Sequence, residues 1–252
     1  MAQLLSRTAQ QKDNLCGSFC TARILNDLGF DEWDGEPLDE DLVANRAAAT
    51  LPSPDLQPFL PPGAVSRTGY RYELPIAPLD QVGTSPAALV EAIESATNRR
   101  LRAVPVRGVW TAHRVEQFVE RAPTLGARLI ANLDTGRLWG GRPSPDQFLG
   151  ELNGKETAGP PPDWEVGHFV EPTMLIRGPR GSLVLVHDTY PSLGWVGYHL
   201  QPPRTLALAL LRGDGREGGI LAVVPRDQAA AVTAMAGELG MEVGVWDNGC
   251  RS

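Results

Sequence analysis

Lysine and cysteine are scarce in this chain of 252 residues, and no apolar run is long. The three cysteines, Cys16, Cys20 and Cys250, are too few and odd in number for a disulfide framework. The longest apolar run, about residues 206–211, falls far short of a membrane span. The opening residues, MAQLLSRTAQQKDN, lack the apolar region of a secretory signal. These absences predict a cytoplasmic protein in a reducing environment, with no membrane partner. A basic surplus is missing too. The net charge is −7, and a phosphate-backbone binder needs a basic face, so nucleic acid is not expected as a partner. Of the 23 basic residues only Lys12 and Lys155 are lysine. Arginine codons are GC-rich, so this bias points to a GC-rich bacterial genome rather than to an arginine function.

What is present is an ordinary globular composition, 42% hydrophobic and 21% charged, enough to bury a sizeable core in one large domain or two small ones. Residues 15–29 read as a helix with apolar stripes on two sides, which marks a central, buried element. Residues 31–41 are dense in acids and read as a solvated loop, since their spacing does not fit a calcium loop. Residues 50–82 carry seven prolines and read as an irregular connection. A regular pattern follows: helix 85–97, strand 101–107, helix 111–121 and strand 127–133. Residues 136–165, rich in glycine and proline, read as a long loop bordering a functional cleft. Strands at 168–176, 182–189 and 194–200 come next. The chain ends in a short helix near 204–211, strand 219–224, helix 227–239 and strand 242–246.

Several familiar spellings fail on context. The glycines of 213–218 precede a strand, whereas a dinucleotide fingerprint follows one and opens a helix. The four histidines, at 113, 168, 187 and 199, show no metal-ligand spacing, so neither metal nor cofactor is expected. No Gly-x-Ser-x-Gly elbow presents a serine nucleophile.

One constellation carries chemistry. Cys16 opens the predicted helix, where the positive end of the helix dipole favours a thiolate. Gly17 keeps bulk away from the sulfur, and Gln10, six residues upstream, offers an amide that can donate to a developing oxyanion. A thiol nucleophile needs a base. His168, in Gly167-His168-Phe169-Val170, starts a strand at the end of the long loop. Asp188, twenty residues on at the end of the next strand, can orient it. His187 points to the opposite strand face. Trp164 and Trp195 flank the two segments and either wall the pocket or pack in the core. The same residues admit a plainer account: Cys16 as a core thiol, or as one half of a Cys16–Cys20 redox pair, and His168 as a structural histidine.

The order Gln10, Cys16-Gly17, a Gly-His-Phe-Val strand and a strand ending in Asp188 resembles the papain-like cysteine peptidase superfamily. Within it the chain is most similar to the bacteriocin-processing, double-glycine-leader peptidases and their stand-alone relatives. The resemblance implies an α+β fold, with a helical half carrying the nucleophile packed on an antiparallel sheet carrying histidine and aspartate. It implies Cys16 as nucleophile, His168 as base, Asp188 as its orienter and Gln10 as oxyanion donor. The implied domain is 1–201, with insertions near 31–82 and 136–165, and 202–252 forms a C-terminal strand-helix-strand extension packed on it. The chain departs from those peptidases in three ways. Thr189 stands where they have proline, 152 residues separate Cys16 from His168, and residues 202–252 have no clear counterpart in them.

The expected function is cysteine-dependent acyl transfer through a thioester on Cys16, as a peptidase or amidase-like hydrolase. The expected substrate is a peptide, amide or thioester, including a precursor peptide or a carrier protein. The alternatives are an acyltransferase that forms an amide, and an inactive peptidase fold serving as a binding module.

Overall fold

Short segments rich in valine, leucine and isoleucine form one antiparallel sheet, as their β-branched content favours. The computed structural model describes residues 9–250. The reading of the opening residues as lacking a signal falls largely on 1–8, outside the described residues. In chain order the elements are α1 (Cys16–Asp27), β1 (Glu32–Trp33), β2 (Glu36–Pro37), α2 (Glu40–Arg46), α3 (Pro86–Ala96), β3 (Leu101–Arg107), α4 (Ala112–Arg121) and β4 (Arg128–Asp134). Then come α5 (Pro145–Leu152), β5 (Gly167–Arg177), β6 (Ser182–His187), β7 (Tyr198–Gln201), α6 (Pro203–Leu211), β8 (Gly219–Pro225), α7 (Ala229–Glu238) and β9 (Glu242–Val243). The strand order is β7-β6-β5-β4-β8-β3-β9, and every neighbouring pair is antiparallel. The fold class is therefore α+β with an open antiparallel sheet.

Both sheet faces are covered. Ile130, Phe169, Leu221 and Val223 pack with α1, α2 and α3 on one side. Ala131, Val170, Ile220 and Ala222 pack with α4, α6 and α7 on the other. This explains why β8 is a continuous apolar run rather than an alternating one: six of its seven residues are buried. Among the described residues no helix is long and apolar enough to cross a membrane.

The start of α1 sits hard against β5. A Cβ on Gly17 would lie 2.9 Å from Leu89 Cδ1 and 3.1 Å from the Phe169 ring, so any larger residue would have to displace one or both side chains. The segment leading into α1 is clamped from outside. Asp13 accepts from Ser66 Oγ at 2.6 Å and from Arg67 N at 3.1 Å, and Lys12 N donates to Glu40 at 2.8 Å. Asn14 takes a left-handed conformation, φ 63°, which asparagine tolerates well.

Four expectations change. The acidic run 31–41 is not one loop. It forms the hairpin β1–β2 and then opens α2, where Asp39 caps Leu42 N at 2.8 Å and Glu40 and Asp41 face the positive helix end. Residues 136–165 contain α5, started by a capping box between Ser144 and Gln147 with Pro145 at the first turn. The strand expected at 194–200 is confined to β7. Val196, Gly194 and Gly197 have positive φ, which bends the chain instead of extending it. Residues 202–252 are not an appendage, because β8 pairs with both β4 and β3 in the middle of the sheet. Residues 50–82 are irregular as expected apart from one 3-10 turn, Leu79–Gln81, and are tied by isolated bridges, Thr50↔Gly83 and Leu51↔Ile76.

Candidate active site

The site forms where the first turn of α1 meets the first residue pairs of β5. On α1, Cys16, Cys20 and Arg23 lie on one stripe, at i, i+4 and i+7, facing β5 and β6. On the sheet, register does the positioning. Glu171 pairs with His187, so continuing the ladder by one residue sets Asp188 opposite Val170. Side chains alternate with period two, which places His168, Val170 and Asp188 on one face. His199 pairs with Val186, two residues before Asp188, and so joins the same face from β7.

Cys16 is half-buried and lies beside the buried His168, both lining one cavity. Burial pushes its thiol up. The His168 hydrogen bond and charge, with backbone bonds from Phe169 and Gly17, outweigh that and hold the thiol below its ordinary value. The helix dipole acts in the same direction. Cys20, one turn deeper, is fully buried and donates to Phe169 O at 3.5 Å. Its thiol is pushed well up, first by burial and then by the Glu171 charge. Cys250 is raised to about 12, mainly by burial.

The hydrogen-bond network fixes the His168 tautomer. Gln11 Nε2 donates to Lys12 O and to the Tyr190 hydroxyl, each at 3.1 Å, so Gln11 Oε1 must accept. It takes the Thr189 hydroxyl proton at 2.5 Å. Thr189 Oγ1 is then an acceptor toward His168 Nε2 at 3.2 Å, and Asp188 Oδ1 is the other acceptor at 3.1 Å. Nε2 therefore carries a proton, and Nδ1 is the ring nitrogen left for Cys16. The ring is held edge-on by Trp164, with centroids 5.0 Å apart, and stacked by Tyr190 at 6.0 Å. Burial lowers the His168 pKa, but the Asp188 charge and hydrogen bond, helped by Cys16, raise it to about 10.

Asp188 is saturated with donors. Oδ1 also accepts from the backbone N–H of Thr189 at 2.7 Å and of Tyr190 at 3.1 Å. Oδ2 faces His199 Nε2 at 3.4 Å. Gln201 fixes that contact. Its Oε1 accepts from Trp139 N and its Nε2 donates to Trp139 O, both at 2.8 Å, and Nε2 also reaches His199 Nδ1 at 3.0 Å. His199 Nδ1 thus accepts and its Nε2 donates to Asp188. Burial raises the Asp188 carboxyl, yet the two histidines hold it well below the usual carboxylate range.

Beneath this line lies a buried ion pair, Arg23 Nε to Glu171 Oε1 at 2.8 Å. Arg23 Nη1 also contacts Asp188 O at 3.2 Å and His187 Nε2 at 3.1 Å. His187 stacks on Tyr198 at 4.1 Å, on the opposite face from Asp188 as expected. A cavity of about 680 Å³ opens over Cys16 and His168.

The structure thus brings Cys16, His168 and Asp188 together. Gln10 is placed differently. Its amide is engaged on the backbone of Val65, with Nε2 to Val65 O at 2.5 Å and Val65 N to Oε1 at 3.3 Å, and the glutamine lining the cavity is Gln11. Trp164 lines the cavity, while Trp195 packs on Phe148 at 5.6 Å. Among the described residues no group of three or more His, Cys, Asp and Glu is arranged to hold a metal ion. Sequence reasoning missed Gln11, Thr189, His199, Gln201 and Arg23. The only signals for them were adjacency to Gln10 and Asp188, the i, i+2 spacing of His199 and Gln201, and the i+7 spacing of Arg23 from Cys16.

Over residues 1–247 the chain matches the model described as "Family of unknown function (DUF6885)", and it belongs to that family. No curated protein and no solved structure matches it.

Proposed function

We propose that this member of the DUF6885 family is a papain-like, cysteine-dependent acyl-transfer enzyme, acting as a peptidase or amidase-like hydrolase. The observation that carries the reading is the line from Cys16 through His168 to Asp188. A helix-terminal thiol lies beside a buried imidazole in one cavity, and a buried carboxylate binds that imidazole through Nε2. The α1-on-sheet arrangement is compatible with the papain-like fold that the motif order suggests.

The Cys16 thiolate attacks the substrate carbonyl carbon, forming a C–S bond and pushing the carbonyl electrons onto oxygen. The backbone N–H groups in the first turn of α1 have no intrahelical partners and suit that oxyanion. Gln10 serves there only after exchanging the Val65 carbonyl for it. His168 gives its Cys16-facing proton to the leaving group as the C–N or C–O bond breaks. In the second half neutral His168 takes a proton from water, hydroxide attacks the thioester, and the C–S bond breaks to return the thiolate.

The test uses the full chain with p-nitrophenyl acetate. Turnover should release p-nitrophenolate, and acid quenching should trap an acetyl group on Cys16 in peptide maps. Cys16→Ala should abolish both. Release at the native rate by Cys16→Ala would refute the reading.

A further inference from the structure

The cavity over Cys16 continues away from His168 along one wall built by the irregular segment 52–83. Pro52, Leu56, Pro58, Phe59, Leu60 and Leu79 line that wall. Leu56, Phe59 and Leu79 remain 47%, 68% and 69% exposed. One exposed leucine needs no explanation, but three large apolar side chains bordering the cavity that holds the thiol form a recognition surface. The wall is tied to the reacting groups: Trp164, which packs edge-on to His168, donates its indole N–H to Phe59 O at 3.1 Å.

The charged groups lining the cavity are already committed. Asp13 is held by Ser66 and Arg67. Arg212 grips Asp214 with two donors, at 3.1 and 2.5 Å, and Arg216 donates to Asp80 O at 2.5 Å. The exposed carboxylate of Asp80 at the rim disfavours an anionic ligand. Among the described residues, each guanidinium of this lining is already engaged, so none is free for a substrate carboxylate or phosphate.

We infer that the preferred substrate presents its reacting carbonyl on a bulky, uncharged, apolar acyl group, seated against Leu56, Phe59 and Leu79. This rests on the thioester reading above. The volume of about 680 Å³ lies within the range that encloses a drug-sized ligand.

The test is a series of p-nitrophenyl esters on the full chain: acetate, butanoate, octanoate and the monosuberate, which matches octanoate in length but ends in a carboxylate. Each methylene buried against the wall should raise kcat/KM about fourfold. Octanoate carries six more methylenes than acetate, so the octanoate-to-acetate ratio should reach about 4,000-fold with all six buried and at least about 100-fold with half to two-thirds of them buried, with monosuberate falling back toward acetate. Leu56→Asp, Phe59→Asp and Leu79→Asp combined should collapse the octanoate-to-acetate ratio. The series on the unaltered protein decides the matter even if that variant fails to fold. Acetylation of Cys16 with rates that stay flat along the series, or monosuberate matching octanoate, overturns this inference alone. If acetate fails to acylate Cys16 at all, the thioester reading falls and takes this inference with it.

Discussion

Asp188→Asn is expected to lower turnover by about 10⁴-fold while leaving the fold intact, because the neutral amide removes the charge that holds the His168 proton and turns an N–H toward the His199 Nε2–H, which needs an acceptor. The pH profile should change in a defined direction. In the native protein the lower limb reports ionisation of Cys16, and the upper limb reports loss of the His168 proton at about 10. Asp188 is the chief cause of that elevation. Its removal should move the upper limb down, toward the ordinary imidazole value of about 6.5. Stability follows the same sign. His168 is raised in the folded state, so its contribution is complete below about 6.5 and is lost as pH climbs through about 10. Denaturant melts across that window should show the loss in the native protein, with a smaller one in Asp188→Asn. A variant with native turnover and an unmoved upper limb would transfer the orienting role to another group.

The second large effect lies under the site. Arg23→Met leaves Glu171 buried beside β6 without its cation. Burial already pushes the Glu171 carboxyl up despite Arg23, so losing the guanidinium exposes the full desolvation cost. Unfolding free energy should fall by about 3–5 kcal/mol in denaturant titrations. Arg23→Met combined with Glu171→Gln should recover much of that loss, since the stranded charge is gone. A single variant within about 1 kcal/mol of native would show that the pair is not what binds α1 to β5 and β6.

How far these features can be read from sequence depends on whether they are local. α1, β3 and β8 were legible because period and punctuation agree, as with Gly29 just past α1. The Cys16 segment was legible because Cys16 and Gly17 open a helix, a local arrangement. α2 and α5 were hidden although their caps stand in the sequence. The acids around Asp39 read as solvent-loving, and the glycines and prolines around Ser144 outweighed one capping box. The central position of β8 could not be read, because strand order is a long-range choice between similar apolar runs. The same holds for the groups that set the tautomers. Gln11 meets Thr189 only because the chain before α1 runs beside the end of β6, bonding Gln11 N to Thr189 O at 3.1 Å. Gln10 has the right spacing from Cys16, but its neighbour holds the buried position because Val65 captures the Gln10 amide.

The central claim is that His168 activates Cys16 and no other thiol of the chain. A short iodoacetamide pulse at about pH 6, followed by peptide mapping, measures it directly. The Cys16 thiol is held down by His168, the buried Cys20 thiol is pushed well up, and Cys250 is raised to about 12. Cys16 should therefore be alkylated far ahead of the other two, and His168→Ala should erase that lead. Labelling of Cys250 as fast as Cys16, or a lead that survives His168→Ala, would contradict the account.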